Sequence, residues 1–216
     1  MIDQAMFDLL KPMPPFISAL RSRNRSNEKT QTRRIMKPQP DFFDVGDGIN
    51  SSWFVEWIHP RTGCLIDEWG EGEPVPATVI GCCPYGKSGD IRYMREPLFK
   101  GPFDFAHYAD DKTVAFNLLT GEPIRWKWKK DVLSQLYMPK EAARTFKQYE
   151  TIQVQRLNEI SEEDAQAEGC KTFAGRSSKQ LFKTLWDLIN EQRGYPWHEN
   201  WWVWVIGYQA YEFGGS

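Results

Sequence analysis

Periodic hydrophobic patterning is confined to a few stretches of the chain, and those stretches predict its elements. Leu181, Phe182, Leu185, Trp186, Leu188 and Ile189 recur at helical spacing after Ser177 and Ser178, predicting an amphipathic helix that ends before Gly194. Ser161 followed by Glu162, Glu163 and Asp164 is a cap with acids in the first turn, opening a helix that Gly169 stops. Phe16, Ile17, Ala19 and Leu20 suggest a short helix within residues 15–25, ending near Ser26 and Asn27. Thr30-Gln31-Thr32-Arg33-Arg34-Ile35 reads as a strand closed by Lys37-Pro38-Gln39-Pro40. Tyr149, Thr151, Gln153 and Gln155 alternate with Glu150, Ile152, Val154 and Arg156, the mark of a half-buried strand. Residues 201–208 are apolar on both faces, which predicts a buried final strand.

Between these elements the period is lost. Residues 41–80 are rich in Gly, Pro, Asp and Trp and read as an insertion with short strands, including Ser52–Ile58. Residues 83–90 form a turn from which a strand, Ile91 to Leu98, departs. In a second insertion, residues 100–147, the segments 106–116 and 123–128 suit a hairpin joined through Thr120-Gly121. The expected architecture is α+β, one domain over residues 1–213 with helices on the rim of a small sheet or barrel. The terminal Gly214-Gly215-Ser216 reads as a scar of recombinant expression.

Ten tryptophans among 216 residues, with 14% aromatics, exclude intrinsic disorder for most of the length. No run of about 18 apolar residues exists, and the first eleven residues are too mixed for a secretion signal, so no membrane partner and no classical export are expected. The four cysteines (Cys64, Cys82, Cys83, Cys170) and three histidines (His59, His107, His198) have no zinc-site spacing, so no metal and no cofactor are expected. Thiols without a framework pattern fit a reducing cytoplasm.

A net charge of −2 gives no bulk argument for nucleic acid, but its distribution is uneven. Residues 21–37 hold seven bases (Arg21, Arg23, Arg25, Lys29, Arg33, Arg34, Lys37) against Glu28 alone. Such a stretch is either a phosphate-attracting patch or a solvated helix face followed by strand-edge charges. Within it Lys29 and Thr32 would point to opposite faces of one continuous strand, yet can converge at a helix-to-strand corner, which the break after Asn27 permits. A lysine beside a threonine hydroxyl can serve as a base once burial lowers its pKa.

Asn27-x-Lys29-x-x-Thr32-x-Arg34 resembles the signature of the ASCH domains, a PUA-like β-barrel superfamily whose usual pattern is Gly-x-Lys-x-x-Glu-x-Arg. The resemblance extends through Lys37-Pro38-Gln39-Pro40, Cys83-Pro84-Tyr85-Gly86, Gly89-Asp90, Arg95-Glu96, the Ile160-Ser161-Glu162-Glu163-Asp164-Ala165 block with Ala167-Glu168-Gly169, and the Trp202-Val203-Trp204-Val205 ending. Taken together these blocks are similar to the ASCH-domain proteins of bacteriophages and prophages, leaving the two insertions unmatched. Asn27 replaces the signature Gly, and Asn tolerates the left-handed backbone. Thr32 replaces the signature Glu, as in an amidohydrolase branch that removes the acetyl group from acetylcytidine with Lys, Thr and a Glu from a later helix.

Carried over, that resemblance implies a small PUA-like barrel flanked by short helices, a pocket between the Lys29 corner and the Glu168 helix, and Lys29, Thr32 and Glu168 as catalytic residues. Arg33, Arg34, Tyr93, Arg95 and Glu96 are the implied contacts to substrate or nucleic acid, with Arg34 holding an oxyanion or a phosphate. Glu168 also reads as a solvated acid near a helix end, a position the helix dipole disfavours. The implied function is recognition of RNA or a modified nucleotide in the bacterial host cytoplasm, with hydrolysis of an acyl amide on cytosine as its enzymatic form. A non-catalytic RNA-binding module, a module that engages a host protein, and a ribonuclease are the alternatives. Arg125-Trp126-Lys127-Trp128-Lys129-Lys130 interleaves charge with aromatic rings, fitting either base stacking along a phosphate track or tryptophans facing a core with lysines in water. The tryptophans at 197, 201, 202 and 204 read as core.

Overall fold

A computed structural model describes residues 2–16, 18–39, 41–44, 52–58, 65–71 and 77–213. Ile17, Pro40, His59, Cys64 and the terminal Gly-Gly-Ser lie outside the described residues. The elements run α1 (Gln4–Leu9), β1 (Lys11–Pro12), α2 (Ser18–Arg25), β2 (Gln31–Ile35), β3 (Asp41–Asp44), β4 (Ser52–Ile58) and β5 (Leu65–Glu71). Then come α3 (Ala77–Gly81), β6 (Ile91–Tyr93), β7 (Leu98–Lys100), β8 (Ala106–Tyr108), β9 (Val132–Leu133), β10 (Phe146–Arg156), α4 (Glu162–Ala167), α5 (Ser178–Asn190) and β11 (Trp202–Tyr211).

The chain divides into two compact units. The first comprises Met1–Glu28, Gly89–Tyr149 and Tyr208–Ser216. Here β1 runs parallel to β6, β6 pairs antiparallel with the start of β10, and β7 lies between β8 and β9. Its core gathers Leu10, Tyr93, Leu98, Tyr108, Leu133, Met138 and Phe146. The second unit comprises Lys29–Ser88 and Glu150–Gly207. In it β2 pairs antiparallel with β11, from Gln31 opposite Gly207 to Ile35 opposite Val203, and β3, β4 and β5 form an antiparallel sheet. Its core packs Leu157, Ile160, Phe182, Trp186, Trp197, Val203 and Val205.

The fold is α+β, as the patterning indicates, but the sheets stay open: among the described residues no barrel closes. Among the described residues β1 pairs with β6 alone and β2 with β11 alone, so neither of these strands closes its sheet. β1 is two residues long and ends on Pro12, which has no N–H to donate. The single strand expected over residues 91–98 is divided as well. β6 joins β10 whereas β7 joins β8 and β9, with Pro97 at the break. The expected 106–116 and 123–128 hairpin is reduced to β8 and isolated bridges, Phe116 with Pro123 closing the turn around Thr120-Gly121. Both helices read from caps are present with those caps, Ser161 accepting from the Asp164 amide and Ser177 from the Gln180 amide. No helix among the described residues is long and apolar enough to cross a membrane.

Candidate functional site

Two helices end in the same way, one just ahead of Lys29 in the chain and the other at Glu168. At the end of α2, Asn27 adopts φ 59°, and the amides of Asn27 and Glu28 donate to the carbonyls of Asn24 (3.2 Å) and Arg23 (2.9 Å). This is a Schellman end with asparagine in the left-handed position, and the chain leaves it at Lys29. α4 ends the same way: Gly169 has φ 90°, and the amides of Gly169 and Cys170 donate to Gln166 (2.8 Å) and Ala165 (2.9 Å). The last carbonyls of such a helix have no partner within it. Thr30 and Lys29 supply them: the Thr30 amide donates to the Ala167 carbonyl at 2.8 Å, and Lys29 Nζ to the Glu168 carbonyl at 3.0 Å. A cation at that end also opposes the partial negative charge of the helix terminus.

Lys29 Nζ makes two further bonds, to Glu168 Oε2 at 2.5 Å and to the Gln31 carbonyl at 2.7 Å. Both side chains are buried, Lys29 at 1% exposure and Glu168 at 4%. Burial pushes the Lys29 amine below its usual range, with the Arg34 charge adding a little, and the Glu168 carboxylate only partly restores it. The pair is thus a buried, hydrogen-bonded ion pair whose lysine releases its proton more readily than a free amine.

Arg33 ties Glu168 to the rest of α4. Its Nη2 donates to Asp164 Oδ2 at 2.8 Å and Gln155 Oε1 at 3.1 Å; its Nη1 donates to Gln31 Oε1 at 2.6 Å and stands 3.5 Å from Glu168 Oε1. Gln31 also donates to Asp164 Oδ1 at 3.2 Å. Two cations and two carboxylates thus neutralise each other inside one hydrogen-bonded network.

The structure brings Lys29 and Glu168 together and leaves Thr32 apart from them. Thr32 is buried between Gln31 and Arg33 in β2, so strand alternation turns its side chain away from the face carrying the network. No hydrogen bond joins it to Lys29 or Glu168 among the described residues. Arg33, read as a nucleic-acid contact, is committed to the network, and Arg34 is half-buried in β2 opposite Trp204. The other three expected contacts belong to the first unit. Tyr93 is a core residue whose burial raises its phenol pKa. Arg95 donates to the Leu136 carbonyl at 3.2 Å. Glu96, 1% exposed, is clamped by Arg25 on Oε1 and by Arg144 on both oxygens, at 2.7 and 2.8 Å, so Arg95 and Glu96 do not pair with each other.

Sequence reasoning missed Gln31, Gln155 and Asp164. Their signal was spacing: Gln31 and Arg33 share a strand face, and Asp164 and Glu168 lie four apart on a helix. A cavity of about 400 Å³ in the second unit is lined by Lys87, Ser88, Glu150 and Gln153 among others, and by none of Lys29, Thr32 or Glu168. Among the described residues no group of three or more His, Cys, Asp or Glu is placed to hold a metal ion. Comparisons of the chain with protein-family models, curated proteins and solved structures give no match.

Proposed function

We propose that this chain recognises RNA or a modified nucleotide and hydrolyses an acyl amide on cytosine, with Lys29 and Glu168 as the proton-handling pair. One observation carries the reading: a buried lysine with a depressed pKa donates at 2.5 Å to a buried carboxylate. A neutral Lys29 amine takes the proton from the Thr32 hydroxyl, or from a water held by it, as that oxygen attacks the amide carbonyl. Arg34 stabilises the resulting oxyanion. Collapse of the intermediate breaks the C–N bond, and the proton taken up by Lys29 is relayed through Glu168 to the departing exocyclic amine. Where Thr32 is the nucleophile, water then attacks the acyl-threonine ester, returns the hydroxyl proton and releases the acid. For this Thr32 must come within reach of Lys29, a movement in the turn ahead of β2.

A second reading, a non-catalytic RNA-binding module, is favoured by the saturation of the pair. Lys29 already donates to three acceptors, two of them backbone carbonyls, and Arg33 braces Glu168. Mass-spectrometric deacylation of acetylcytidine and related acylated nucleosides separates the readings, with Lys29→Ala, Thr32→Ala and Glu168→Ala compared against wild type and their folding checked by circular dichroism. Turnover abolished in all three folded variants supports the hydrolase. Wild-type protein inert on the whole panel overturns it in favour of the binding module.

A further inference from the structure

The first unit displays an aromatic ring where backbone chemistry disfavours one. β7 and β8 form a hairpin, Leu98 opposite Tyr108 to Lys100 opposite Ala106, whose tip is residues 101–105. At that tip Phe103 (φ 57°, ψ 26°) and Asp104 (φ 58°) both adopt the left-handed conformation. Two successive positive-φ residues at a hairpin tip normally call for Asn and Gly, and a bulky side chain there is strained. Phe103 gains little burial in return, being 87% exposed. Backbone strain spent on presenting an exposed ring belongs to the class of feature found at binding sites.

A basic segment wraps this tip. The Trp126 amide donates to the Asp104 carbonyl at 2.7 Å, Phe105 bridges to Arg125, and the Lys100 amide donates to the Asp131 carbonyl at 2.8 Å. Residues 125–131 are therefore fastened along the hairpin end. Within them the strand-like alternation is clear: Trp126 and Trp128 turn inward and stack edge to face with centroids 4.9 Å apart, while Arg125, Lys127, Lys129 and Lys130 are exposed. Trp126 also packs on the core of the unit, so the inward rings anchor the outward charges. The Arg125 guanidinium lies 5.2 Å over the Phe105 ring, Lys127 Nζ lies 5.7 Å from the Trp128 ring centroid and Lys100 pairs with Asp104, while Arg125, Lys127, Lys129 and Lys130 all remain exposed.

We propose that Phe103 and the row Arg125, Lys127 and Lys129 form a contact surface for single-stranded nucleic acid, one base stacking on the Phe103 ring while the flanking phosphates meet the basic row. A free aromatic face beside a line of cations is the combination that single strands use, because every base offers a face for stacking and every nucleotide a charge. A duplex keeps its bases stacked inside and gains only the charge interaction. The inference does not depend on the Lys29 chemistry, since it concerns binding at another surface.

The test is fluorescence anisotropy with a labelled 12-residue oligouridylate and an RNA duplex of equal length, over a salt series. The single strand is expected to bind more tightly than the duplex, with affinity falling as salt rises. Phe103→Gly is expected to weaken single-strand binding about tenfold, the loss of one stacked base, while raising the melting temperature, because glycine relieves the left-handed strain. Lys127→Ala/Lys129→Ala is expected to lower both affinity and the salt slope, and Lys183→Ala, an exposed charge removed from α5, to change neither. Absence of single-strand binding, equal or tighter duplex binding, or a Phe103→Gly variant that binds as wild type does overturns the proposal. Deacylation is a separate readout, so either proposal can fail without the other.

Discussion

Lys29 meets Glu168 twice, its ammonium donating to the carboxylate at 2.5 Å and to the same residue's backbone carbonyl at 3.0 Å. The second bond survives removal of the carboxylate, but the first does not, and what remains is a cation buried beside carbonyl dipoles. Losing one partner of a buried ion pair costs about 3–5 kcal/mol. Glu168→Ala is therefore expected to destabilise the protein by that order. Lys29→Met is expected to cost less, since Arg33 stays 3.5 Å from Glu168 and continues to balance it. The double variant Lys29→Met/Glu168→Leu should lose less than the sum of the singles, because neither charge is left alone. Urea unfolding midpoints measure all three, and strictly additive costs would show that the two side chains do not act as a pair.

Lys147 gives a pH dependence of definite sign. It is buried in the first unit, donates to the Asn27 side-chain carbonyl, and burial alone lowers its pKa to about 8. Between about pH 8 and the unfolded value near 10.5 the unfolded chain holds the proton that the folded chain has released. Stability accordingly rises with pH across that window, with a slope of at most about 1.4 kcal/mol per pH unit for one group. Half-buried Tyr85 and buried Tyr93 and Tyr108, whose pKa values burial raises, act in the opposite sense above about pH 10. Lys29 shares the sign of Lys147, so the informative quantity is the difference from Lys147→Met. Stability of that variant should climb less steeply from pH 8 to 10, and parallel profiles would sink the assignment.

Much of this architecture is legible in residues whose chemistry acts locally. Ser161, Ser177 and Gly169 name the ends of α4 and α5 because a cap needs only its own turn. Asn27 is likewise a left-handed residue at the end of α2, where the chain turns. What the sequence hides depends on partners distant in the chain. The buried face of β10 changes from Lys147 and Tyr149 to Ile152 and Val154, where the strand passes from one compact unit to the other, and alternation alone cannot register such a switch. Arg33 reads as a free base until Asp164, 131 residues later, is seen to hold it. Glu96 reads as the neighbour of Arg95, yet its charge is taken by Arg25 and Arg144.

That second network predicts acid sensitivity. Arg21 binds Asp110 through two donors, at 2.9 and 3.0 Å, and Arg144 bridges Glu96 and Asp111. Burial works against the Asp111 carboxylate, but hydrogen bonds from Thr113 and Arg144 prevail and hold its pKa at about 2. The Arg21 hydrogen bond holds Asp110 below its usual range despite burial. Folded values below the unfolded 3.8 mean stability that is present above that pH and lost as pH falls through the folded values. Thermal melts are expected to drop between pH 4 and about 2, and Asp111→Asn to flatten the lower part of that drop. A variant with an unchanged acid profile would remove Asp111 from the network.

Gly207 of β11 lies directly against Thr151 of β10 in the second unit. A Cβ added to Gly207 would stand 2.4 Å from Thr151 Oγ1 and 3.7 Å from Thr151 Cβ, so the obstacle is the branched side chain. Threonine is stiff at χ1 and cannot swing clear as a long side chain would. Gly207→Ala is therefore expected to destabilise by about 1–3 kcal/mol, the usual cost of overpacking. Thr151→Ala removes the atom in the way, so in that background the same substitution should cost much less. Adding the alanine at 207 to the Thr151→Ala protein and following chemical denaturation reads this coupling directly. An equal penalty in both backgrounds would place the obstacle in the backbone of β11 and leave Thr151 with no part in it.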